Sequence, residues 1–498
     1  MNPRLNTIIK NTAFLYVRML IIMAISLYTS RVLLKMLGVD DFGIYSVVGS
    51  ITAIFASLRT IFSEATQRFL NFAKGQNDTQ KVQTIFSMSV FLHFVIGVLF
   101  VSVVLIIGEY LLCYKLNIPS ERFLAAKETL YFSVLSIFLL ILTIPYDAVI
   151  IANEKISVFA LVSIIDSVLK LCIVFITPFL SYDRLPVYSC LLCSVSLFTL
   201  VVYYVYTLRF EECRIRFIVD KQILKELGAF SFWNFIGNMI FSIVHEGYNM
   251  LLNIFGSVVS NAARSIAYQV RAAVGQFSNN ALVAVKPFVM QETAVVDKIR
   301  VFSYINKVLS VTYYLSLLIT VPLVSYTNEL LSLWLGEAPA GTSLFTQLTV
   351  IALLIRSLHG PLSLMFVSFG KIKRVTLFES SIYIISFFIA YVILKSGCPL
   401  WSIFAVLCVV ELIIIVGISI IASYELKYDV LIFGTIIFKL FILSMACAFI
   451  IIAVKSFINS FIVGLFVVEL LTAIMILVFS SRTEKALVKE ITKKIGKK

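Results

Sequence analysis

Four polar residues set the chemical question. Arg264, Arg271, Asn279 and Lys286 recur within an otherwise apolar stretch. At the angular step of a helix they fall within roughly 80° of arc. Tyr268, Gly275 and Ser278 share that face. The result is a cationic stripe, and guanidinium groups in a dry setting hold phosphate or carboxylate through paired hydrogen bonds. The plainer reading is a stripe satisfied by neighbouring helices. A second stripe precedes it: Asn234, Asn238, Ser242, His245, Asn249 and Asn253 lie within roughly 100° of one another. Carboxamides both donate and accept, which suits hydroxyl-rich sugars. They suit hydrogen bonds between helices equally well, each worth roughly 0.6 kcal/mol. Side by side, the two stripes imply a ligand with anionic and polyol parts.

Acids are scarce in the apolar segments. Glu64, Glu109, Asp166, Glu246, Glu411 and Glu469 are the candidates, against nine basic residues: Arg18, Arg31, Arg59, Lys170, Arg264, Arg271, Lys286, Arg356 and Lys439. A Lys or Arg at the centre of a membrane helix costs about 2.5–3.5 kcal/mol on insertion scales. Each must face a polar cavity, pair with an acid, or reach the interface. Arg31, Lys286 and Lys439 are near segment ends, where reaching the interface suffices; Arg356 is not. Asp166 and Lys170 are spaced i, i+4 with the acid first, the favourable order for an ion pair. Glu246 has His245 beside it and no Lys or Arg within a turn. Asp166 and Glu246 are therefore the candidates for coupling to an ion such as H+ or Na+, Glu246 being preferred. Cys190 and Cys193 form a CxxC with no His or acid nearby, which reads as apolar packing. There is no metal-ligand cluster, Gly-rich phosphate loop or nucleotide-binding domain. The reading is a non-enzyme with no catalytic residue, metal or cofactor.

The elements that hold these residues follow from composition. The chain has 498 residues, 60% apolar and 14% charged, with mean hydropathy +1.01. Soluble domains carry about 25% charged residues, and a membrane span needs ~20 apolar ones. Fourteen segments qualify: 12–36, 41–62, 84–112, 124–151, 156–180, 185–208, 228–255, 258–289, 304–326, 343–369, 375–394, 400–423, 430–454 and 457–480. This excludes a soluble enzyme, a disordered tail and a disulfide-stapled secreted domain. The continuous runs also exclude an outer-membrane barrel, whose strands alternate over ~10 residues. The first segment carries Arg18 and Arg31 and is long, so it reads as a retained span rather than a cleaved signal.

Charge fixes the expected orientation. With the N-terminus cytoplasmic, 25 basic residues fall in inside loops and tails and seven in outside connections. That asymmetry is the positive-inside pattern; it accounts for the formal charge of +14 without nucleic acid. A faint repeat links Leu33–Gly38 with Leu251–Gly256. Spans one and seven then run the same way, as in parallel repeats. The expected architecture is an all-α polytopic membrane protein of about fourteen transmembrane helices, in two pseudo-symmetric lobes around a central cavity. Residues 1–208 form the first lobe, 209–227 a basic cytoplasmic linker and 228–423 the second lobe. Residues 424–481 add two helices, and 482–498 form a basic tail.

A family resemblance then becomes specific. Asn11–Gly49, NTAFLYVRMLIIMAISLYTSRVLLKMLGVDDFGIYSVVG, resembles the opening of bacterial polysaccharide exporters. These are the Wzx-type flippases of the multidrug/oligosaccharidyl-lipid/polysaccharide superfamily. His245–Val270, HEGYNMLLNIFGSVVSNAARSIAYQV, is similar to their seventh and eighth spans, including the Asn261-Ala262-Ala263-Arg264 core. Ser357–Lys373, with GPLSLMFVSFGKIK, resembles their tenth span and following loop. The sequence departs where the family often has Gln before the glycine of span seven; here Glu246 precedes Gly247. The resemblance implies translocation of an undecaprenyl-pyrophosphate-linked oligosaccharide, a repeat unit of O-antigen, capsule or exopolysaccharide, by alternating access in the bacterial cytoplasmic (inner) membrane. Both termini would be cytoplasmic, and membrane lipids and polysaccharide assembly proteins would be its partners. Arg18, Arg31, Arg59, Arg264, Arg271 and Arg356 would hold pyrophosphate and acidic sugars, and Asn234, Asn238, Asn249 and Asn261 the hydroxyls. Two rival classes fit less well. A drug or cation antiporter of the same superfamily needs an acidic interior. A polysaccharide polymerase needs a large extracytoplasmic loop, whereas the outside connections here are short, about a dozen residues and at most 16.

Overall fold

The computed structural model describes residues 20–51, 66, 69–70, 73, 78–153, 155–213, 240–295, 298–369, 371–458 and 460–481. They are helical apart from short turns and connections, with no strand among them. Eleven helices are long and apolar enough to cross a membrane. They account for the expected spans once three are placed. Spans one and two share the stretch Leu20–Ile51, which turns at Gly38 with φ at 79°. Span seven is described only from residue 240 onward. Span eight, Val258–Val295, is too polar to count by hydropathy because it carries the cationic stripe.

Two compact units make up the chain, Met1–Ala262 and Ala263–Lys498. The division falls inside the helix of span eight. The described part of span seven and the first turn of span eight pack with the first unit.

In the first unit, Ile44, Val47, Val48 and Ile51 pack against Phe100 and Val104 of Thr79–Tyr114. Ala126, Leu130 and Val134 of Phe123–Leu142, Leu185 of Arg184–Thr207, and Val258 complete that core. A second core gathers Phe86, Tyr146, Val149, Tyr203 and Cys213. In lipid this interior gains little from the hydrophobic effect, so close packing and hydrogen bonds must hold the helices together. Gly43 shows how close they come: a Cβ there would lie 1.9 Å from the carbonyl oxygen of Val258. At one end Arg122 ties three connections together. Its guanidinium donates to Asp41 at 2.7 Å (Nε) and to Asp183 at 2.8 Å (Nη2). Arg184 donates to the carbonyl of Met36 at 3.0 Å.

In the second unit, Lys298–Ser325 packs against Thr342–Arg356 and against the last two helices, Val430–Phe457 and Phe461–Phe479. Ile372–Lys395 and Ser402–Leu426 pair with one another. Asp429 starts the thirteenth span by accepting the backbone N–H of Leu431 at 2.8 Å, the usual role of an N-cap carboxylate.

Candidate functional site: a cationic helix face beside a buried charge cluster

Span eight presents the stripe that its spacing predicts. Arg264 and Arg271 flank Tyr268 at one turn on either side. The guanidinium of Arg264 lies 3.9 Å from the centre of the Tyr268 ring, and that of Arg271 5.3 Å. One aromatic face thus steadies two cations, each cation–π contact being worth roughly 0.5–2 kcal/mol. Arg264 is buried at 4% exposure, whereas Arg271 is half-buried. Among the described residues Arg271 makes no ion pair. The side chains of Asn279 and Lys286 lie outside the described residues.

Span ten places its charges next to this stripe. Leu353 packs over Gly275, and Leu282 of span eight packs onto Gly360. Arg356, at the end of Thr342–Arg356, donates from Nη1 to Glu411 Oε2 at 3.1 Å. The hydroxyl of Tyr383 accepts from Arg356 and donates to Glu411 Oε1 at 3.2 Å. Glu411 has no exposure at all. Removing one partner of such a pair would leave an uncompensated buried charge. Three residues beyond Arg356, His359 Nε2 meets Glu379 Oε1 at 2.7 Å. Arg271 stands within electrostatic reach of Tyr383 and Cys408, and Glu379 within that of Arg356. The stripe and the cluster form one charged region.

The amides have a different setting. Asn261 Nδ2 donates to Asn249 Oδ1 at 2.9 Å and to its carbonyl at 2.7 Å. Asn253 Nδ2 donates to Asn261 Oδ1 at 2.8 Å, and Asn253 Oδ1 accepts the backbone N–H of Asn117 at 2.7 Å. Asn249 Nδ2 donates to the carbonyl of Ser46 at 3.1 Å. All three asparagines are 0–1% exposed. In this structure Asn249 and Asn261, read as sugar ligands, hold spans seven and eight together and against span two, while Asn253 holds the connection after span three. Of the two readings open to carboxamides, the interhelical one describes this arrangement.

The other sequence-predicted residues are placed singly. Asp166 pairs with Lys170 at 2.7 Å, as their spacing predicts, and also accepts from the Thr199 hydroxyl at 3.1 Å. Glu246 is half-buried on the helix of span seven, and Arg31 is exposed on the first unit. Arg356, read as a substrate group, is engaged by Glu411. Arg18, Arg59, Asn234 and Asn238 lie outside the described residues. Sequence reading missed His359–Glu379 and the Arg122 clasp. The signal for the first was a histidine and a glutamate in consecutive apolar segments. Among the described residues no cluster of His, Cys, Asp or Glu could hold a metal ion.

No protein-family model matches the chain, and no curated protein sequence does. Solved structures do. A lipid II flippase MurJ in an inward closed conformation aligns with a TM-score of 0.69 at 13% identity, covering 96% of this chain and 100% of its own. An inward-facing multidrug-resistance MATE transporter aligns at 0.64 with 14% identity, covering 83% and 98%. A transporter from Pyrococcus furiosus, described by the reverse polarity of its binding pocket, aligns at 0.61 with 14% identity, covering 84% and 96%. The chain therefore has the fold of multidrug/oligosaccharidyl-lipid/polysaccharide superfamily transporters. It is a multi-pass, all-helical membrane protein of that architecture.

Proposed function

We propose that this protein is a flippase that moves an undecaprenyl-pyrophosphate-linked oligosaccharide across the bacterial cytoplasmic membrane by alternating access. The observation that carries this reading is the Arg264–Tyr268–Arg271 column on span eight, with Arg271 in no ion pair among the described residues. A diphosphate needs such a site: cations held in place, weakly hydrated, and able to make forked hydrogen bonds. The lipid tail can stay in the bilayer while the headgroup follows the polar face. An exporter of cationic drugs would need the opposite sign of charge. The sequence features that imply the sugar part, Asn234 and Asn238, belong to the same proposal. Both termini lie in the cytoplasm on this reading. Reporter fusions after Leu180 and Leu394 then report the outside, and fusions after Phe210 and Lys373 the inside.

Deletion of the gene, followed by fractionation of lipid-linked oligosaccharides, tests the function. Repeat units should accumulate on the cytoplasmic face, and the wild-type chain should restore surface glycan. Normal surface glycan in the deletion strain overturns the reading.

A further inference from the structure

The His359–Glu379 pair has no part in the site as described so far, yet it is built into it. His359 sits mid-way along span ten, three residues after Arg356. Glu379 comes from span eleven, as does Tyr383, one turn further on. The two side chains meet at 2.7 Å and are 16% and 19% exposed. His359 is the single histidine of the second unit. Histidine is the side chain whose ordinary charge change falls between pH 5 and 8.

The surrounding charges can be counted element by element. Span eight contributes Arg271. Span ten contributes Arg356 and His359, and span eleven Glu379 and the Tyr383 hydroxyl. Span twelve contributes Glu411 and Cys408. Lys298–Ser325, also packed on span ten, adds no ion pair to the group among the described residues. Arg271 and Arg356 balance Glu379 and Glu411 when His359 is neutral, and Arg264, one turn beyond Tyr268 on the stripe, adds one positive charge. One proton held by the His359–Glu379 pair adds a second.

That balance has a thermodynamic consequence. A Glu379 carboxylate without its proton draws on the field of Arg356 and competes with any anion brought to the stripe. A protonated pair removes the competitor. Whatever raises affinity for the anion when a proton is bound must raise affinity for the proton when the anion is bound, by the same factor. We propose that His359 and Glu379 form a proton-binding site that sets the charge beside Arg271, so that binding of a pyrophosphate-bearing lipid is linked to uptake of one proton. The inference rests on the flippase reading for its ligand. It assigns the proton to neither Asp166, which Lys170 already neutralises, nor Glu246.

Two measurements on the full-length protein in nanodiscs test it. The first is the affinity for undecaprenyl pyrophosphate between pH 5.5 and 8.5. One linked proton allows up to a tenfold tightening for each unit fall in pH through the titration range. The diphosphate itself gains protons in acid, which weakens binding, and His359→Gln should display only that opposing trend. Glu379→Gln should bind at pH 8.5 as tightly as the wild type binds in acid. Matching pH profiles for wild type and His359→Gln overturn the linkage. The second measurement is the infrared difference spectrum between pH 5.5 and 8.5 without ligand, compared with both variants. A protonation band present in the wild type and missing from both supports the site, and its absence from the wild type overturns it. Lack of lipid binding at every pH, with the band present, removes the flippase reading and the linkage while the proton site stands. Thermal melting of each variant separates a lost site from a lost fold.

Discussion

The two units use polar groups in opposite ways. In the first, the asparagines between spans seven and eight and the Arg122 clasp are matched and local in purpose. Three asparagines complete one another's hydrogen bonds at 0–1% exposure, and one arginine is clasped by two aspartates. In the second, cations gather on facing helices, and one of them, Arg271, joins no ion pair among the described residues. Amides that complete one another make a joint; a cation outside any ion pair makes a binding surface. The contrast assigns work to residues whose types alone do not distinguish them, since Asn249 and Arg271 are both polar groups on membrane helices.

Substitutions that break this contrast should differ in kind as well as size. The largest effect is expected for Arg264→Ala: surface glycan falls by at least about a hundredfold, as loss of a charged transition or binding contact can bring, while protein level stays normal. Arg264→Lys should restore only part of it, because an ammonium cannot make the guanidinium's fork. Surface glycan and immunoblotting check both. Normal glycan in the alanine variant would leave Arg264 a packing residue.

Glu411→Ala comes next and should act on the fold. It takes the carboxylate of the ion pair away from the half-buried Arg356, a loss of up to about 3–5 kcal/mol, read as a drop in melting temperature. The double variant Glu411→Ala with Arg356→Met should recover most of it. Asn261→Leu should cost less, about 1–3 kcal/mol, by removing the donor to Asn249 Oδ1 and the acceptor 2.8 Å from Asn253 Nδ2. Transport per folded molecule should then be nearly unchanged. A selective loss of export with normal stability would return Asn261 to the ligand site and erase the difference between the units.

The smallest effect concerns the clasp. A hydrogen bond from Arg122, helped by the backbone N–H of Leu185, holds the Asp183 carboxyl below its ordinary value of 3.8. A lowered folded value means stability that is present above the ordinary value and lost as pH falls through the folded one. Asp183→Asn should therefore lower the melting temperature slightly at pH 7, and the gap should close as pH falls below the ordinary value of 3.8 and through the lowered folded one. Asp183 is 39% exposed, so solvent screening keeps the gap small.

Much of the fold was legible because each span writes its own signal. Continuous hydropathy marks a helix wherever it packs, and i, i+3 and i, i+4 spacings disclosed the Asp166–Lys170 pair and the shared face of Arg264, Tyr268 and Arg271. What stayed hidden depended on partners far along the chain. Arg356 and Glu411 are 55 residues apart, and Asn253 and Asn117 are 136 apart. A helical pattern tells which residues share a face, but not what that face meets. The same limit explains the asparagines: their period was right, and whether they meet sugar or another asparagine is a tertiary fact. The approach of Gly43 to Val258, 215 positions on, is hidden in the same way.

The close approach at Gly43 also bears on how this chain can vary. A library covering every substitution at that position should yield almost no survivors beyond glycine, since the obstacle is a backbone carbonyl rather than a side chain that could swing aside. Gly38, a few residues earlier, has nothing within 4 Å of a built Cβ and is constrained only by its left-handed backbone. It should tolerate asparagine, which adopts that conformation more readily than other side-chain-bearing residues. Two glycines five positions apart would thus leave different fingerprints in a mutational-tolerance map, one enforced by a neighbour and the other by torsion alone.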